Sequence, residues 1–351
     1  VNVVGVRWAA DAGAISAMAL HQRALPGHDL LRSHTTSLGL VIADGDGSLQ
    51  VERVPVVIDG AVVDVPAALG RPQPLLVYPN HGDHDYALAE LDPASTEFAL
   101  ERLPDLPEPL LRQQIWSTLW EAVRATSLRS TEFIEAVRRW APRESDRSMV
   151  DAIVGRAGVA QRRYIPEPGR GHASRALTRA AIGAVRTSAD PDLQLTWARA
   201  AGTFASDPDD IAELLGLVDG SWSVPGLEPD QLLRWSMAIK AAAHGLPDAD
   251  RRTEEERQRD PSDRGQRAAI RASVSRPSAE AKQEAWERIN GEGYGSDYLT
   301  RAAIAGFQWP HHRDLTAPYR EGFYERLPAV YGTRDLAYAE SYLRWLVPDL
   351  W

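Results

Sequence analysis

The chain has 351 residues, 44% hydrophobic and 25% charged, an ordinary balance for a globular protein with room for two or three domains. Its formal net charge of −10 leaves no basic footprint for nucleic acid, and no run of 18 apolar residues is present to span a membrane. Cysteine is absent, which excludes disulfides, thiolate zinc sites and cysteine nucleophiles and fits a reducing cytoplasm. Of the 39 basic residues only Lys240 and Lys282 are lysines, which together with the abundant alanine reads as a GC-rich coding bias. No basic, apolar leader opens the chain; it begins on the strand-like run VNVVGVRW, which points to a fragment of a longer protein.

Residues 1–79 carry a strand pattern. AISAMALHQ alternates roughly, and SLGLVIADGDGSLQVERVPVVIDGAVVDV places two β-rich runs around DGDG, with a second Asp-Gly turn at IDGAV. Asp-Gly tolerates the positive φ that tight hairpins need, so the spacing predicts a small antiparallel β-sandwich. Asp44 and Asp46 suggest calcium, but the loop lacks the further ligands and distal Glu of an EF-hand and reads as a hairpin turn.

From residue 92 the period changes. Asp92 is placed to cap a helix with Pro93 in its first turn, and Leu111, Ile115, Leu119 and Val123 recur at intervals of four. The following segments open on Ser, Asp or Pro, and many close on Gly, as helices do. A string of short amphipathic helices with no strand pattern predicts an irregular, HEAT-like superhelix, since no strict period is found. The stretch QRRYIPEPGRGHASR, residues 161–175, reads as an exposed loop, and the charged stretch 248–267 as two solvated helices broken at Pro261. Trp116, Trp120, Trp197, Trp235, Trp286 and Trp345 fall on helical segments and read as core, while Trp222 lies in a loop.

Chemistry-bearing motifs are sparse. There is no phosphate-binding Gly loop, dinucleotide fingerprint, Gly-x-Ser-x-Gly elbow or His-Glu-x-x-His. His311 and His312 sit in a Pro-flanked turn, where adjacent imidazoles diverge and chelate poorly; they read as surface or as a helix start. The stretch YPNHGDHDYALAELD is the one dense polar cluster. His81, Asp83 and His84 would make a partial metal site, but Pro79, Asn80 and Gly82 make the segment a turn, and no third and fourth ligand is evident. The competing reading is a joint between two structures.

The run LLVYPNHGDHDYALAELDPASTEFALERLPDLPEPLLRQQIWSTLWEAVR resembles the start of the helical C-terminal domain of the aminopeptidase N family of zinc metallopeptidases, nearest in kind to the actinobacterial enzymes. The elements carrying the likeness are Asn80, Asp83, Tyr86-Ala87 and Leu91-Asp92. It continues through LQLTWARA, DGSWSVPGLEPDQLLRW, RPSAEAKQEAWERI, RAAIAGF and APYREGFYERLPAVYGTRDLAYAE, and upstream through a region similar to the family's small β-sandwich. The family usually has other polar residues where this chain has His81 and His84, and it usually runs some tens of residues past LVPDL.

The resemblance implies a mainly α protein with an N-terminal all-β part: a sandwich domain over 1–79 and a helical C-terminal domain over 80–351, forming a bowl. The family's catalytic domain, with its His-Glu-x-x-His, distant Glu and Gly-x-Met-Glu-Asn segment, matches no position here. The implied role is therefore non-catalytic: closing the active-site chamber and controlling peptide access, with the parent's catalytic domain and peptides as partners. This chain alone would be inactive and hold no cofactor, zinc belonging to the parent's catalytic domain. The alternative is a stand-alone helical solenoid that binds a peptide or protein. The expected interdomain joint is Asn80, Asp83 and Tyr86, with Tyr86 anchoring the helices. Arg199, Arg234 and Arg334 are candidates to hold a peptide carboxylate, against the reading that each is a structural ion pair. A cytoplasmic location, with no nucleic acid or membrane partner, completes the expectation.

Overall fold

The computed structural model describes residues 1–348. Packing divides the chain into two compact units, Val1–Pro166 and a second from Glu167 onward.

The first unit opens with seven strands: β1 (Asn2–Asp11), β2 (Ala14–Ala24), β3 (His34–Ala43), β4 (Leu49–Ile58), β5 (Val62–Asp64), β6 (Leu76–Tyr78) and β7 (Ala87–Glu90). They form two sheets, ordered β5-β2-β1-β7 and β4-β3-β6. Alternate apolar residues point inward from each, so Val4, Val6, Ile15, Met18 and Leu20 of the first sheet share one core with Leu38, Leu40, Val54, Ile58 and Val77 of the second. DGDG forms the expected β3–β4 hairpin, with Gly47 at φ +84° and the Asp44 N–H on the Ser48 carbonyl at 2.8 Å. Asp44 and Asp46 spend carboxylate oxygens on Gln50 and the Ser48 N–H, within the turn itself.

Two strand features depart from the sequence reading. IDGAV is not a hairpin turn: β4 and β5 lie in different sheets, so the segment is a corner that carries the chain between them. The Gly60 carbonyl there accepts from Gln22 Nε2 at 2.9 Å. And β7 lies past residue 79, pairing parallel to β1, so strand structure extends beyond the stretch whose residue pattern reads as strand.

Four helices complete the first unit: α1 (Pro93–Arg102), α2 (Pro109–Arg124), α3 (Ser130–Trp140) and α4 (Arg147–Val159). Asp92 caps α1 through the N–H groups of Ala94 and Ser95. The row Leu111, Ile115, Leu119 and Val123 is buried along α2, as its spacing predicts. Trp116 is fully buried and donates Nε1–H to Glu144 at 3.1 Å; the other Glu144 oxygen holds Arg112 at 3.0 Å.

The second unit contains α5 (Glu167–Thr187), α6 (Pro191–Phe204), α7 (Pro208–Asp219), α8 (Gln231–Ala243), α9 (Ala249–Arg259), α10 (Asp263–Val274), α11 (Ala279–Asn290), α12 (Asp297–Phe307), α13 (Arg313–Thr316), α14 (Arg320–Thr333) and α15 (Leu336–Leu346). Asp190, Asp207, Asp230, Ser262, Ser278, Ser296 and Asp335 each cap a helix through a side-chain oxygen, a contribution of about 1 kcal/mol apiece. Sequence neighbours pack on one another, and α10 and α12 converge with α15 on a core around Phe307, Phe323, Tyr338 and Tyr342.

Residues 161–175 are not a loop. Ala160–Tyr164 make a π-helical turn, and α5 begins at Glu167. Pro168 sits in the first turn of α5, where its missing N–H has no partner to lose; a breaker signal is in fact a start signal. The stretch 248–267 does form two helices around Pro261, but it is not wholly solvated: Glu256 and Asp260 are buried, receiving Arg234 and the Trp235 indole N–H. Trp197 and Trp235 are buried as expected, whereas Trp345 is exposed.

Candidate functional site

The stretch from Tyr78 to Asp92 runs from β6 through a tight turn into β7 and on to the cap of α1. Gly82 and Asp83 both have positive φ, +83° and +56°, a conformation that Gly and Asp tolerate best. This turn aims the buried Asn80 into the interior. Its Oδ1 accepts from Thr36 Oγ1 at 2.6 Å, its Nδ2 donates to the Asp85 carbonyl at 2.8 Å, and its carbonyl accepts from Gln114 Nε2 at 2.8 Å. One residue thus ties β3, its own turn and α2 together. Tyr78 adds a hydroxyl contact to Thr118 at 3.2 Å, and burial pushes its phenol up to about 12. The Val77 N–H donates to Ser95 Oγ on α1 at 2.9 Å.

His81 is 2% exposed, and its Nε2 meets Glu108 Oε2 at 2.7 Å, with Arg53 on the other Glu108 oxygen at 3.4 Å. The ring lies on the backbone of Gly39: a Cβ there would meet His81 Cδ2 at 2.8 Å, so only glycine fits. Asp85 turns to His34, whose Nδ1 is 3.1 Å away and whose Nε2 contacts Asn2. Burial alone would raise the Asp85 carboxyl; His34 and the N–H groups of Tyr86 and Thr35 outweigh it and hold it below the ordinary carboxylate value.

The structure therefore does not gather His81, Asp83 and His84 into a ligand set. His81 is engaged by Glu108, Asp83 is exposed, and the exposed His84 ring lies against Gly82. Among the described residues no three His, Asp or Glu side chains are placed to hold a metal ion. These residues do not fit zinc. Of the expected joint residues, Asn80 is central and Asp83 shapes the turn, but the Tyr86 ring is 80% exposed rather than packed. Tyr86 is one of the residues lining a groove of about 1420 Å³ within the first unit, with Val6, Trp8, Leu88, Leu100 and Leu119 on its apolar wall and Arg7, Arg23, Glu97 and Glu101 also along it.

In the second unit each candidate arginine has a carboxylate. Arg199 pairs with Asp230; Arg234 binds Glu256 at 2.8 Å and the Pro229 carbonyl at 2.7 Å; Arg334 is 3.6 Å from Asp297 and lies over the Tyr338 ring. His311 is exposed, as expected, but His312 is buried, and both rings direct Nε2 at the Ala243 carbonyl, at 2.8 Å each. His244 stacks on His311 with centroids 4.1 Å apart. Burial, reinforced by neighbouring Lys240, Lys282 and the other imidazoles, pushes His244 and His312 down to about 3.

Both lysines are interior. Lys240 directs Nζ to the carbonyls of Ala205 (2.5 Å) and Thr203 (3.3 Å), at the end of α6. Lys282 binds those of Val274 and Phe307 at 2.8 Å each, the last residues of α10 and α12. Sequence reasoning treated them as a by-product of coding bias. The available signal was their rarity: where Arg is used everywhere else, two exceptions mark places a planar guanidinium does not suit.

The chemistry of the joint is structural, hydrogen bonds and ion pairs between β3, the turn and α2, with His81 Nδ1 and Gln114 Oε1 left without a hydrogen-bond partner. No helix among the described residues is long and apolar enough to cross a membrane. The chain is 31% identical over 357 residues to Aminopeptidase N of Streptomyces lividans, a match covering 99% of this chain and 42% of that protein. It thus spans less than half the length of the curated relative it matches. The model of the ERAP1-like C-terminal domain matches residues 76–350, from β6 through the joint and the helices, and the chain belongs to that family as the C-terminal region of an aminopeptidase N-like protein.

Proposed function

We propose that this chain closes the active-site chamber of an aminopeptidase N-like zinc enzyme and limits entry to short peptides. The observation that carries the reading is the match across 99% of the chain to 42% of an aminopeptidase N, together with a joint whose polar groups are spent on structure. Zinc and the peptide-cleaving groups would then belong to the part of the longer protein that this chain does not span. That part is the proposed partner, and the apolar groove of the first unit is a surface suited to cover by it. A cytoplasmic location fits the cysteine-free composition.

Peptide contact by Arg199, Arg234 or Arg334 requires that a substrate carboxylate displace the one already held. Displacement costs least at Arg334, where the pair is longest, at 3.6 Å, and both partners are solvent-exposed. The test measures zinc content and hydrolysis of amino-acid p-nitroanilides by this chain alone, then by the longer protein with and without it. The expected result is no turnover by the chain alone, and loss of discrimination between short and long peptides when it is removed. Zinc-dependent turnover by the chain alone would overturn the reading. Peptide binding without any effect on a catalytic partner would favour a stand-alone solenoid.

A further inference from the structure

The lysine count offers something the family reading does not use. Only two side-chain amines exist in the sequence, and both are sealed: Lys282 is 0% and Lys240 9% exposed. Each ammonium donates to two main-chain carbonyls at helix C-termini, groups that otherwise lack an intrahelical partner. The folded second unit therefore presents no lysine amine to solvent, while its arginines are plentiful and exposed.

We propose that Lys240 and Lys282 are conditional acylation sites, closed to any lysine-directed reagent or enzyme while the second unit is folded and available only when it opens. The co-reactant class is an activated carboxyl group, such as a thioester or active ester. The deprotonated amine attacks the carbonyl carbon, the C–N bond forms, the thiolate or alkoxide leaves, and the amine proton passes to solvent. The product amide keeps one N–H and no charge. It cannot supply the two charge-assisted hydrogen bonds of the ammonium, and its added bulk has no space in a fully buried site. Acylation of the opened chain thus prevents it from closing again, so the modification both marks and traps the open state.

The experiment treats the whole chain with an N-hydroxysuccinimide acetate ester, natively and in urea, and maps acetylation by peptide mass spectrometry. Native labelling at both lysines is expected to be slower than in urea by about a hundredfold or more, because the amines react only through opening. After removal of reagent and urea, the acetylated chain should fail to regain native helicity while a mock-treated sample regains it. Comparable labelling rates in the two states would overturn the sealing, and full refolding of doubly acetylated chain would overturn the trap. The variant K240M/K282M, with no lysine left and an unbranched apolar chain in each buried site, serves as a control: its urea-treated, reagent-exposed form should regain the same helicity as its own mock-treated form, and a greater loss there would assign the trap to another residue.

Discussion

In the joint of the first unit, buried imidazoles stand opposite carboxylates, His81 against Glu108 and His34 against Asp85. In the second unit, His312 and the two lysines direct their nitrogens at main-chain carbonyls, and the charged neighbours that act on His312 are Lys282 and His311. Both are polar interiors with most hydrogen bonds made. They differ in the charge that lines them. Carboxylates line the joint, whereas Lys282 and two more imidazoles surround His312, where a buried charge without a counter-charge is expensive.

The largest consequence is acid sensitivity that begins at higher pH in the second unit, since the depressed Asp85 carboxyl of the first unit loses its advantage only below its ordinary value of 3.8. His312, held down to about 3, stays neutral in the folded state while an unfolded chain takes up its proton near 6.5. Between those values the unfolded state binds more protons, so stability is present above about 6.5 and is lost as pH falls. For His312 alone the loss is on the order of 3 kcal/mol by pH 4, with His244 adding in the same direction. Peptide-resolved hydrogen exchange, corrected for intrinsic rates, should show α8 and α11–α13 losing protection before Tyr78–Asp92 as pH is lowered. Loss in the reverse order would break the contrast.

Next in size is Asn80→Ala. It strands Thr36 Oγ1 and the Asp85 carbonyl in the interior and should cost about 3 kcal/mol, read from the urea midpoint of the first unit. A smaller effect sharpens the packing half of the joint. Gly39→Ala drives a methyl into the His81 ring and should cost about 1–3 kcal/mol. In the Gly39→Ala/His81→Ala double variant the clash is gone, so the two costs should sum to less than their parts in a double-mutant cycle. Simple additivity would show that the ring is not what excludes a side chain at residue 39.

What could be read from residues alone follows from the range of each interaction. Asp92 as a cap and the buried row Leu111–Val123 are local, set within one or two turns, and the sequence shows them directly. β7 is four residues, ALAE, with no β-branched side chain, and it is a strand only because β1 lies beside it. The partners that decide the joint are likewise distant: His81 meets Glu108 and Asp85 meets His34, pairings that no spacing rule exposes. Read locally, His81, Asp83 and His84 invite a metal; read with their partners, they are spoken for or point to solvent. Pro168 shows the opposite failure, a local signal taken for a break when its position in a first turn made it compatible with a helix start.

The smallest predicted effect separates two meanings of the joint. Tyr86 has the family's position in the motif, yet its ring is 80% exposed beside an apolar groove. If its contribution were packing within this chain, Tyr86→Ala would cost several kcal/mol, as a buried aromatic does. The exposed ring instead predicts a change within about 0.5 kcal/mol, below a shift of a few degrees in Tm. The same substitution in the longer protein tests the surface rather than the fold. If the groove is covered there, removing an aromatic from its lining should lower the melting temperature of the whole while leaving that of this chain alone unchanged. Equal, small effects in both would mean that the ring meets water in both, and that the joint's work is done by Asn80 and its partners.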